Sequence, residues 1–318
     1  MAIKTKIERN RTLTVTKNDM QRVSPNLLRL KERTNVSNIK NKVINQNVFE
    51  AAQYLPKSFV DLLIVDPPYN LTKSFNKQTF KKKNLTEYAD WIDELVQKLL
   101  PVLKPNASVY FCSDWFSSTS VHFVLSKYFL VKNRITWERE KGRGSQKNWK
   151  QNSEDIWFCT FSDNYTFNVE DIKLKRRVIA PYKHKNGEPK DWDINDKFRL
   201  TYPSNLWNDL SVPFWSMPEN TEHPTQKPEK LMAKLILASS NEGEIIFDPF
   251  LGSGTSAVVA KKLGRNYCGI EIDKKFACLS EVRLSRTNKG DKIQGYSDGI
   301  FWERNTFAYQ NKNGNNKK

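Results

Sequence analysis

The four residues Asp66-Pro67-Pro68-Tyr69 directly follow an apolar run, Leu62 to Val65. The run is too short for an ordinary helix and is β-branched at its end, which predicts a strand buried on both faces of a parallel sheet. The two prolines fix φ and cannot donate to a sheet ladder, so the strand should stop at Asp66. We therefore expect a carboxylate at the carboxyl end of a core strand, where open α/β sheets bind their ligands.

A second stretch whose residues could take part in chemistry begins with another short apolar strand, Glu244 to Asp248. A glycine-rich turn follows, and then a helix over 256–263 that Gly264 closes. Such a turn lets a ligand approach the backbone and points helix N–H groups at it. A further strand ends at Glu271, 17 residues after Gly254, close to the spacing of about 20 at which Rossmann-type strands place a ribose-binding acid.

The glycine pattern is G-x-G without a third glycine, and no lysine follows it as in a P-loop. A dinucleotide site or a nucleoside-triphosphate site is therefore disfavoured. By itself a G-x-G turn is weak evidence, and an ordinary structural turn explains it equally well. Its weight comes from its combination with Asp66-Pro67-Pro68-Tyr69.

The composition indicates a basic protein with reduced cysteines. Lys and Arg number 52 against 35 Asp and Glu, which gives a net charge of +17, and this excess favours a polyanionic partner such as nucleic acid. The four cysteines and three histidines lack metal-ligand spacing, so no metal site is predicted. No apolar run reaches membrane-spanning length and no secretory leader is apparent, so we expect a cytoplasmic protein without a membrane partner.

Strand and helix patterns alternate along most of the chain. An amphipathic helix is predicted over 86–103, with Asn84 and Glu87 as a capping box, and a second helix over 121–129. Strands are predicted at 108–112, 134–137 and 155–161. This alternation predicts an α/β fold with a doubly wound, largely parallel, Rossmann-like sheet. We assign 41–162 and 223–287 to this domain, 1–40 to a basic N-terminal segment, and 288–318 to a C-terminal extension whose Asn/Lys-rich tail is expected to be disordered.

Three basic stretches interrupt the alternation and are candidates for DNA contact. They are a polar loop over 71–83, a glycine-punctuated loop over 140–152, and an insertion over 163–222 that mixes basic and aromatic residues. Cations track phosphates and aromatic rings stack on bases, although solvated loops and a satellite domain packed by its own tryptophans are the alternatives. The predicted DNA-binding residues are Lys81, Lys82, Lys83, Arg143, Lys147, Lys175, Arg176 and Arg177.

Together these motifs resemble those of S-adenosylmethionine-dependent DNA amino-methyltransferases. The tetrapeptide Asp66 to Tyr69 matches the catalytic motif of that family, Phe247 to Thr255 match its cofactor loop, and His223 to Pro228 match the segment that closes over the cofactor. The order of the motifs resembles the circularly permuted β group, with the target-recognition region in the middle. The resemblance covers about 43–284.

The resemblance implies S-adenosylmethionine as cofactor and a set of residues that bind it. Glu271 would hold the ribose, the turn would lie along the methionine and ribose, and Lys227 would supply charge to the methionine carboxylate. Many members have an acid where this chain has Asn47. The implied cofactor-binding residues are Asn47, Val48, His223, Thr225, Lys227, Asp248, Pro249, Phe250, Gly252, Ser253, Gly254, Thr255 and Glu271.

The implied reaction is methylation of the N6 amino group of a flipped adenine in double-stranded DNA. Asp66 and the Pro67 carbonyl would accept the two amine hydrogens, Pro68 would hold the backbone rigid, and Tyr69 would stack on the base or serve as a buried structural residue. Asp66 or solvent would take the surplus proton. The tetrapeptide begins with Asp mainly in N6-adenine enzymes of the family, so adenine is preferred over N4 of cytosine.

Other functions remain open on the sequence. A catalytically silent nucleic-acid-binding protein on the same scaffold, or an RNA substrate, would share most of these features. The resemblance also implies a restriction-modification system with a cognate endonuclease as partner, and a homodimer, since the family includes dimers. The recognition sequence cannot be read from the residues because it depends on which side chains reach the groove edges.

Overall fold

The computed structural model describes residues 10–75, 78–143, 146–178, 182–192 and 198–303. The helices are α1 (Lys17–Val23), α2 (Val36–Ile39), α3 (Val48–Ala51), α4 (Leu85–Leu99), α5 (Ser118–Leu125), α6 (Glu229–Ser239), α7 (Thr255–Lys262) and α8 (Lys274–Ser285). The strands are β1 (Lys42–Ile44), β2 (Val60–Val65), β3 (Lys73–Phe75), β4 (Gln78–Phe80), β5 (Leu103–Ser113), β6 (Leu130–Arg143), β7 (Gln151–Thr160), β8 (Leu174–Arg177), β9 (Phe198–Thr201), β10 (Leu206–Trp207), β11 (Ile245–Asp248), β12 (Asn266–Ile270), β13 (Tyr296–Ser297) and β14 (Ile300–Trp302).

An eight-stranded sheet in the order β1-β12-β11-β2-β5-β7-β6-β10 forms the centre of the protein. Its strand pairs are parallel except where β7 lies between β5 and β6. The chain leaves β2 towards β5 on one side and leaves β11 towards β12 on the other. The predicted α/β class with a largely parallel sheet is confirmed, and β2 and β11 meet where the order reverses.

The two faces of β2 belong to two different parts of the core. Leu62 and Ile64 pack with residues of α6 and α7, whereas Leu63 and Val65 pack with residues of α4 and α5. All six residues of the strand are buried, as the apolar run predicts, because helices cover both faces of the sheet. Burial on both faces fixes the register of β2 and therefore the position of Asp66, the residue that follows it.

Several element boundaries differ from the sequence predictions. Helix α4 ends at Leu99 and gives way to a 3₁₀ turn over Leu100–Val102 that contains Pro101, since proline fits the first turn of a helix but not its interior. The predicted capping box of Asn84 and Glu87 is confirmed. Helix α5 begins and ends earlier than the predicted 121–129.

The segments 71–83 and 140–152, which the sequence predicts as loops, contain β-strands. The 71–83 loop includes the antiparallel pair β3 and β4. Strands β6 and β7 extend into the 140–152 loop from both sides as one long hairpin, with Arg143 opposite Gln151. Cross-strand pairing overrides the polar and glycine-punctuated sequence there, because strand preference depends on neighbouring strands more than on residue type.

The segments at the two ends of the chain pack onto the central domain. Helix α1 has its own capping box at Thr16 and packs on α8 through Val23, and Leu13 pairs with Thr221. Strands β13, β14, β8 and β9 form a second sheet that joins the C-terminal extension to the 163–222 insertion. Strand β10 of that insertion belongs to the central sheet. The described parts of these segments are thus integrated into the fold.

A buried cluster of charges joins the insertion to α6. The Asp209 carboxylate contacts Lys234 Nζ at 2.6 Å and Lys230 Nζ at 2.7 Å. Burial raises the pKa of Asp209, but the two ammonium groups outweigh it and lower the pKa to about 2. A buried cation left without its partner is strongly destabilising, so this cluster fixes the insertion to the core.

We expect Asp209→Ala to lower the free energy of unfolding by about 3–5 kcal/mol, because it removes the buried carboxylate that two buried ammonium groups share. Because the folded-state pKa is depressed, the contribution of Asp209 should be present near neutral pH and lost as the pH falls from about 4 towards 2. Urea unfolding at several pH values measures both effects. The control is Asp163→Ala, whose exposed pair with Lys132 should be worth at most about 1 kcal/mol; equal losses in the two variants would contradict the assignment.

Candidate active site

The carboxyl ends of β2, β11 and β12 meet at one edge of the sheet. Asp66 follows β2 directly, Asp248 ends β11, and Glu271 follows β12 directly. Strands β2 and β11 are hydrogen-bonded neighbours, so the two sequence motifs lie side by side at the point where the strand order reverses. The chain thus brings the two predicted motifs together at one edge of the sheet.

Lys227 is the centre of the polar contacts around Asp66. Its Nζ lies 2.8 Å from both carboxylate oxygens of Asp66 and 3.2 Å from the Tyr69 hydroxyl. The ammonium group also lies over the Tyr69 ring, 5.2 Å from its centroid. The structure thus places the Lys227 side chain on the Asp66–Tyr69 motif, and its contact with the methionine end of the cofactor stays a prediction.

A second carboxylate, that of Glu154, completes the cluster. Its Oε2 accepts a hydrogen bond from the Tyr69 hydroxyl at 2.8 Å and lies 3.2 Å from Lys227 Nζ. Its Oε1 lies 2.7 Å from Nη1 of Arg139. The Tyr69 hydroxyl lies 3.0 Å from Asp66 Oδ1 as well, so the two carboxylates share one hydroxyl and one ammonium group.

The formal charges of this cluster balance, and burial and neighbouring charges shift the pKa of three of its members, Glu154, Lys227 and Tyr69. Burial raises the pKa of Glu154, but Lys227 and Arg139 outweigh it and hold the pKa below its ordinary value. Burial lowers the pKa of Lys227, whereas the Asp66 and Glu154 carboxylates raise it above its ordinary value. Burial and the same two carboxylates raise the pKa of Tyr69 well above its ordinary value, so the phenol stays protonated and can donate.

The backbone of the catalytic motif is held from two sides. The Tyr88 hydroxyl of α4 donates to the Pro68 carbonyl at 3.0 Å. The buried Asn70 side chain donates to the Lys83 carbonyl and accepts from the Lys83 N–H, each at 2.8 Å, which joins the two ends of the 71–83 loop. Among the described residues, none donates a hydrogen bond to the Pro67 carbonyl.

The glycine-rich turn forms a cradle beside this cluster. Gly254 has φ +80°, and a Cβ there would lie 2.8 Å from Cβ of Ser280. Gly252 has φ +54°, and a Cβ there would lie 3.0 Å from Nε2 of His223. Both positions therefore require glycine. The backbone of the turn thus packs closely against His223 and Ser280 just before α7 begins.

Glu271 and Asp248 are tied to the backbone of this region. Glu271 accepts from the Gly252 N–H at 2.8 Å and the Asp273 N–H at 2.7 Å, and burial raises its pKa to about 7. Asp248 accepts from the Phe250 N–H at 3.0 Å, and burial raises its pKa to about 7. These carboxylates shape the turn through their backbone contacts, and the contact of Glu271 with a bound ribose stays a prediction.

Ser253 and Thr255 face inwards. Nη1 of Arg283 donates to the Ser253 carbonyl at 2.9 Å and to the Thr255 hydroxyl at 3.0 Å, while Nη2 contacts Glu229 at 2.9 Å. Both hydroxyl-bearing side chains are buried. Arg283 thus uses these groups to hold the turn, and the cofactor contacts of Ser253 and Thr255 stay predictions.

The remaining predicted cofactor residues surround the turn at different depths. Asn47 caps α3 through the Phe49 N–H at 2.9 Å, and Val48 is buried in the core. The Thr225 N–H donates to the His223 ring at 3.4 Å. Pro249 is buried and Phe250 is half-buried, with the Phe250 ring 6.2 Å from that of Trp91. The Val48 side chain packs in the core, and the cofactor contacts of these residues stay predictions.

The predicted DNA-binding residues divide into exposed and engaged groups. Lys81, Lys82, Lys147 and Arg177 are exposed, and Lys83 is half-buried. Lys175 Nζ lies over the Trp302 ring at 4.8 Å, and Arg176 contacts Glu303 at 3.7 Å. Lys175 and Arg176 thus hold the second sheet together. The Arg143 side chain lies outside the described residues.

Sequence reasoning missed Glu154, Arg139 and Arg283. Glu154 and Arg139 lie on neighbouring strands, and β7 runs against its neighbours, so the start of β7 and the end of β6 reach the same edge as Asp66. No spacing in the sequence signals that reversal. Arg283 gives a weak signal, as a charged residue among the apolar positions of α8.

A family model described as DNA methylase (N6_N4_Mtase) matches residues 60–281. The chain belongs to the DNA methylase family. Type II methyltransferase M.HpaI of Haemophilus parainfluenzae is 32% identical over 79% of this chain and 77% of its own length. DNA adenine methyltransferase YhdJ of Escherichia coli (strain K12) is 31% identical over 80% of this chain and 85% of its own length.

Solved structures of methyltransferases have the same fold. The M1.HpyAVI–SAM complex is 25% identical, with a TM-score of 0.51 over 76% of this chain and 98% of its own. The N4-cytosine-specific PvuII DNA methyltransferase is 16% identical, with a TM-score of 0.59 over 80% of this chain and 87% of its own. S-adenosylmethionine is the cofactor of the DNA methylase family. The predicted family and cofactor are thus confirmed, and the glycine cradle fits that group.

We expect Gly254→Ala to lower the free energy of unfolding by about 2–4 kcal/mol and to weaken S-adenosylmethionine binding, because it adds a clash to an unfavourable φ. Gly243→Ala is the matched control, since Gly243 has φ +84° with nothing within 4 Å of an added Cβ. The control should lose about 1–2 kcal/mol of unfolding free energy and keep its affinity for S-adenosylmethionine. Urea unfolding and calorimetric titration measure the two quantities, and equal behaviour of the two variants would contradict the close packing at Gly254.

Proposed function

We propose that this DNA methylase transfers a methyl group from S-adenosylmethionine to the N6 amino group of an adenine in double-stranded DNA. The observation that carries the proposal is the position of Asp66, at the carboxyl end of β2 and beside the glycine cradle that follows β11. An amine bound at Asp66 would therefore lie next to a methyl donor held along Gly252 and Gly254.

The chemistry requires two hydrogen-bond acceptors in fixed directions. The exocyclic amine of adenine is a poor nucleophile because its lone pair is delocalised into the ring. Acceptors at Asp66 and at the Pro67 carbonyl would take the two N–H groups and favour a pyramidal nitrogen, which is positioning with electrostatic stabilisation. Bound S-adenosylmethionine supplies an activated methyl group. Asp66 would then accept the proton that the amine loses.

The target base has to leave the duplex, as in methyltransferases generally. The Tyr69 ring lies beside Asp66 but its hydroxyl is hydrogen-bonded to two carboxylates. We propose that one face of the half-buried ring stacks on the base while the hydroxyl keeps the ring in place. Stacking on an aromatic residue contributes about 1–3 kcal/mol per base.

Adenine is favoured over cytosine by the tetrapeptide and by the relatives. YhdJ is named an adenine methyltransferase at 31% identity, whereas the structure named N4-cytosine-specific is 16% identical. N4-cytosine methylation is the second candidate, because an exocyclic amine of the same kind would fit the same acceptors. A silent DNA-binding protein would bind S-adenosylmethionine without transferring its methyl group, or would not bind it.

DNA contact is proposed for the exposed basic residues at the site edge. The tip of the β6–β7 hairpin carries Lys147, Trp149 and Lys150, all exposed, with Trp149 90% exposed. Glu154 and Arg139 lie at the base of the same hairpin, so its tip extends from the active-site edge towards a bound duplex. Lys81 and Lys82 would contact phosphates from the 71–83 loop.

A cognate restriction endonuclease, a homodimer and a location in the prokaryotic cytosol complete the proposal. Several relatives, M.HpaI among them, are named type II methyltransferases of bacteria, which supports a restriction-modification context. None of the helices in the described ranges is long and apolar enough to cross a bilayer. Within those ranges, no group of three or more His, Cys, Asp or Glu side chains could hold a metal ion.

We expect Asp66→Ala to lower the rate of methyl transfer to DNA by at least about 100-fold, because it removes an acceptor aimed at the developing charge. The measurement is transfer of labelled methyl groups to unmethylated DNA, together with single-molecule sequencing to identify the base and the target site. Asp93→Ala, which removes a half-buried carboxylate of α4 paired with Lys127, is the control and should keep full activity. Full activity of Asp66→Ala, or methylcytosine as product, would overturn the mechanism or the base assignment respectively.

We expect Lys147→Ala to weaken DNA binding and to reduce the slope of log Kd against log salt by about 0.9, the value for one lost phosphate contact. Lys98→Ala is the control, because Lys98 lies near the end of α4, at the edge of the sheet opposite Asp66. Fluorescence anisotropy with a labelled duplex at several salt concentrations gives both slopes. An unchanged slope for Lys147→Ala would show that Lys147 at the hairpin tip does not contact a DNA phosphate.

A further inference from the structure

Lys227 has two anionic partners within reach and is almost fully buried between them. Its side chain is 8% exposed, and its Nζ lies 2.8 Å from both oxygens of Asp66 and 3.2 Å from Glu154 Oε2. The Tyr69 hydroxyl is shared in the same way, at 3.0 Å from Asp66 and 2.8 Å from Glu154. Each donor can thus turn from one carboxylate to the other without a large movement.

This arrangement presents a difficulty for the acceptor role of Asp66. Both of its oxygens already face Lys227, and a carboxylate paired to an ammonium group is a weakened acceptor for a target amine. Because Lys227 is buried, water could not solvate its ammonium group if it moved away from Asp66. A buried cation deprived of its partner is strongly unfavourable, so the release needs a second anion.

We propose that Glu154 is a positioning residue that takes over Lys227 and the Tyr69 hydroxyl when a target amine binds Asp66. The inference rests on the proposed function, because it assigns Asp66 to the amine. In this hand-over the hydrogen bonds move from one carboxylate to the other, and the count of buried charges stays the same. Asp66 then offers an oxygen to the amine while Lys227 remains paired.

Glu154 suits this role because its own position does not depend on Lys227. Its Oε1 is held by Arg139 at 2.7 Å, and the Arg139 guanidinium lies over the Trp137 ring at 5.9 Å from its centroid. Glu154 is buried and paired with two cations, which keeps it ionised. Because Arg139 holds the carboxylate in this way, Glu154 can become the main partner of Lys227 without moving.

The proton balance agrees with a role in positioning. As the N–C bond forms at the amine, the electron pair of the broken C–S bond stays on sulfur, and the surplus amine proton goes to Asp66. Glu154 remains a carboxylate throughout and keeps Lys227 charged. The other groups that face Lys227 are Tyr69, Cys112 and Asp248, and burial raises the pKa of the Cys112 thiol well above its ordinary value, so it adds no charge.

The test uses the full chain with Glu154→Gln, which keeps the shape of the side chain and removes its charge. Single-turnover methylation of duplex DNA should slow by about 100-fold, the size of effect that misplacement of a catalytic group produces. The Kd for S-adenosylmethionine should stay within about threefold, because only the transfer step uses the hand-over. Glu154→Asp keeps the charge and should give an intermediate rate.

A double-mutant cycle with Lys227→Gln separates positioning from a merely structural contribution. If Glu154 acts through Lys227, the Glu154→Gln change should alter the rate by less than about threefold once Lys227 is Gln, because coupled residues are non-additive. A structural role would give the same loss in both backgrounds. Thermal unfolding of each variant checks that the proteins compared are folded. If Glu154→Gln does not fold, Glu154→Asp takes its place in the cycle.

Two sets of results would overturn the inference. A Glu154→Gln rate within about threefold of the parent would remove the need for a second anion. Additive losses in the cycle, or a Glu154→Asp rate as low as that of Glu154→Gln, would show that the charge of Glu154 does not act through Lys227. A parent protein that transfers no methyl group to any DNA would instead overturn the proposed function, so the two failures can be told apart.

Discussion

The ammonium group of Lys227 joins three parts of the chain that lie far apart in sequence. This group contacts Asp66 at the end of β2 and Glu154 near the start of β7, and Lys227 itself lies two residues before α6. Together with Arg139 it balances the two carboxylates of the cluster. Two carboxylates this close would repel each other without the cation between them. The active-site edge therefore has its present form only when these segments are assembled.

A second buried ion pair extends this constraint to the cofactor loop. Arg283 of α8 holds the Ser253 carbonyl and the Thr255 hydroxyl, and it contacts Glu229 in the first turn of α6. Since Glu229 follows Lys227 by two residues, the loop that would carry S-adenosylmethionine and the lysine that holds Asp66 rest on the same helix end. The relative position of methyl donor and acceptor is thus set by α6 and α8 together.

The periphery of the protein reinforces this frame. The Asp209 cluster fastens the insertion to Lys230 and Lys234 of α6, and β14 of the C-terminal extension pairs with β8 of the insertion. The N-terminal segment reaches the residues just before His223 through Leu13 and Thr221. Basic residues that look alike in sequence have different roles here, since Lys175 packs on aromatic rings while Lys147 is exposed.

The sequence by itself determined the family, the parallel core and the two motifs. A fully apolar run stopped by Asp66 and two prolines, and a glycine-rich turn after a second such run, have few other interpretations, because local sterics and burial on both faces dictate them. Only the tertiary structure decided the partners of those motifs. That Lys227 faces Asp66, that Arg283 takes the Ser253 and Thr255 groups, and that Glu154 joins the site all follow from the antiparallel direction of β7 and from helix packing. These depend on contacts between distant segments, which no local pattern encodes.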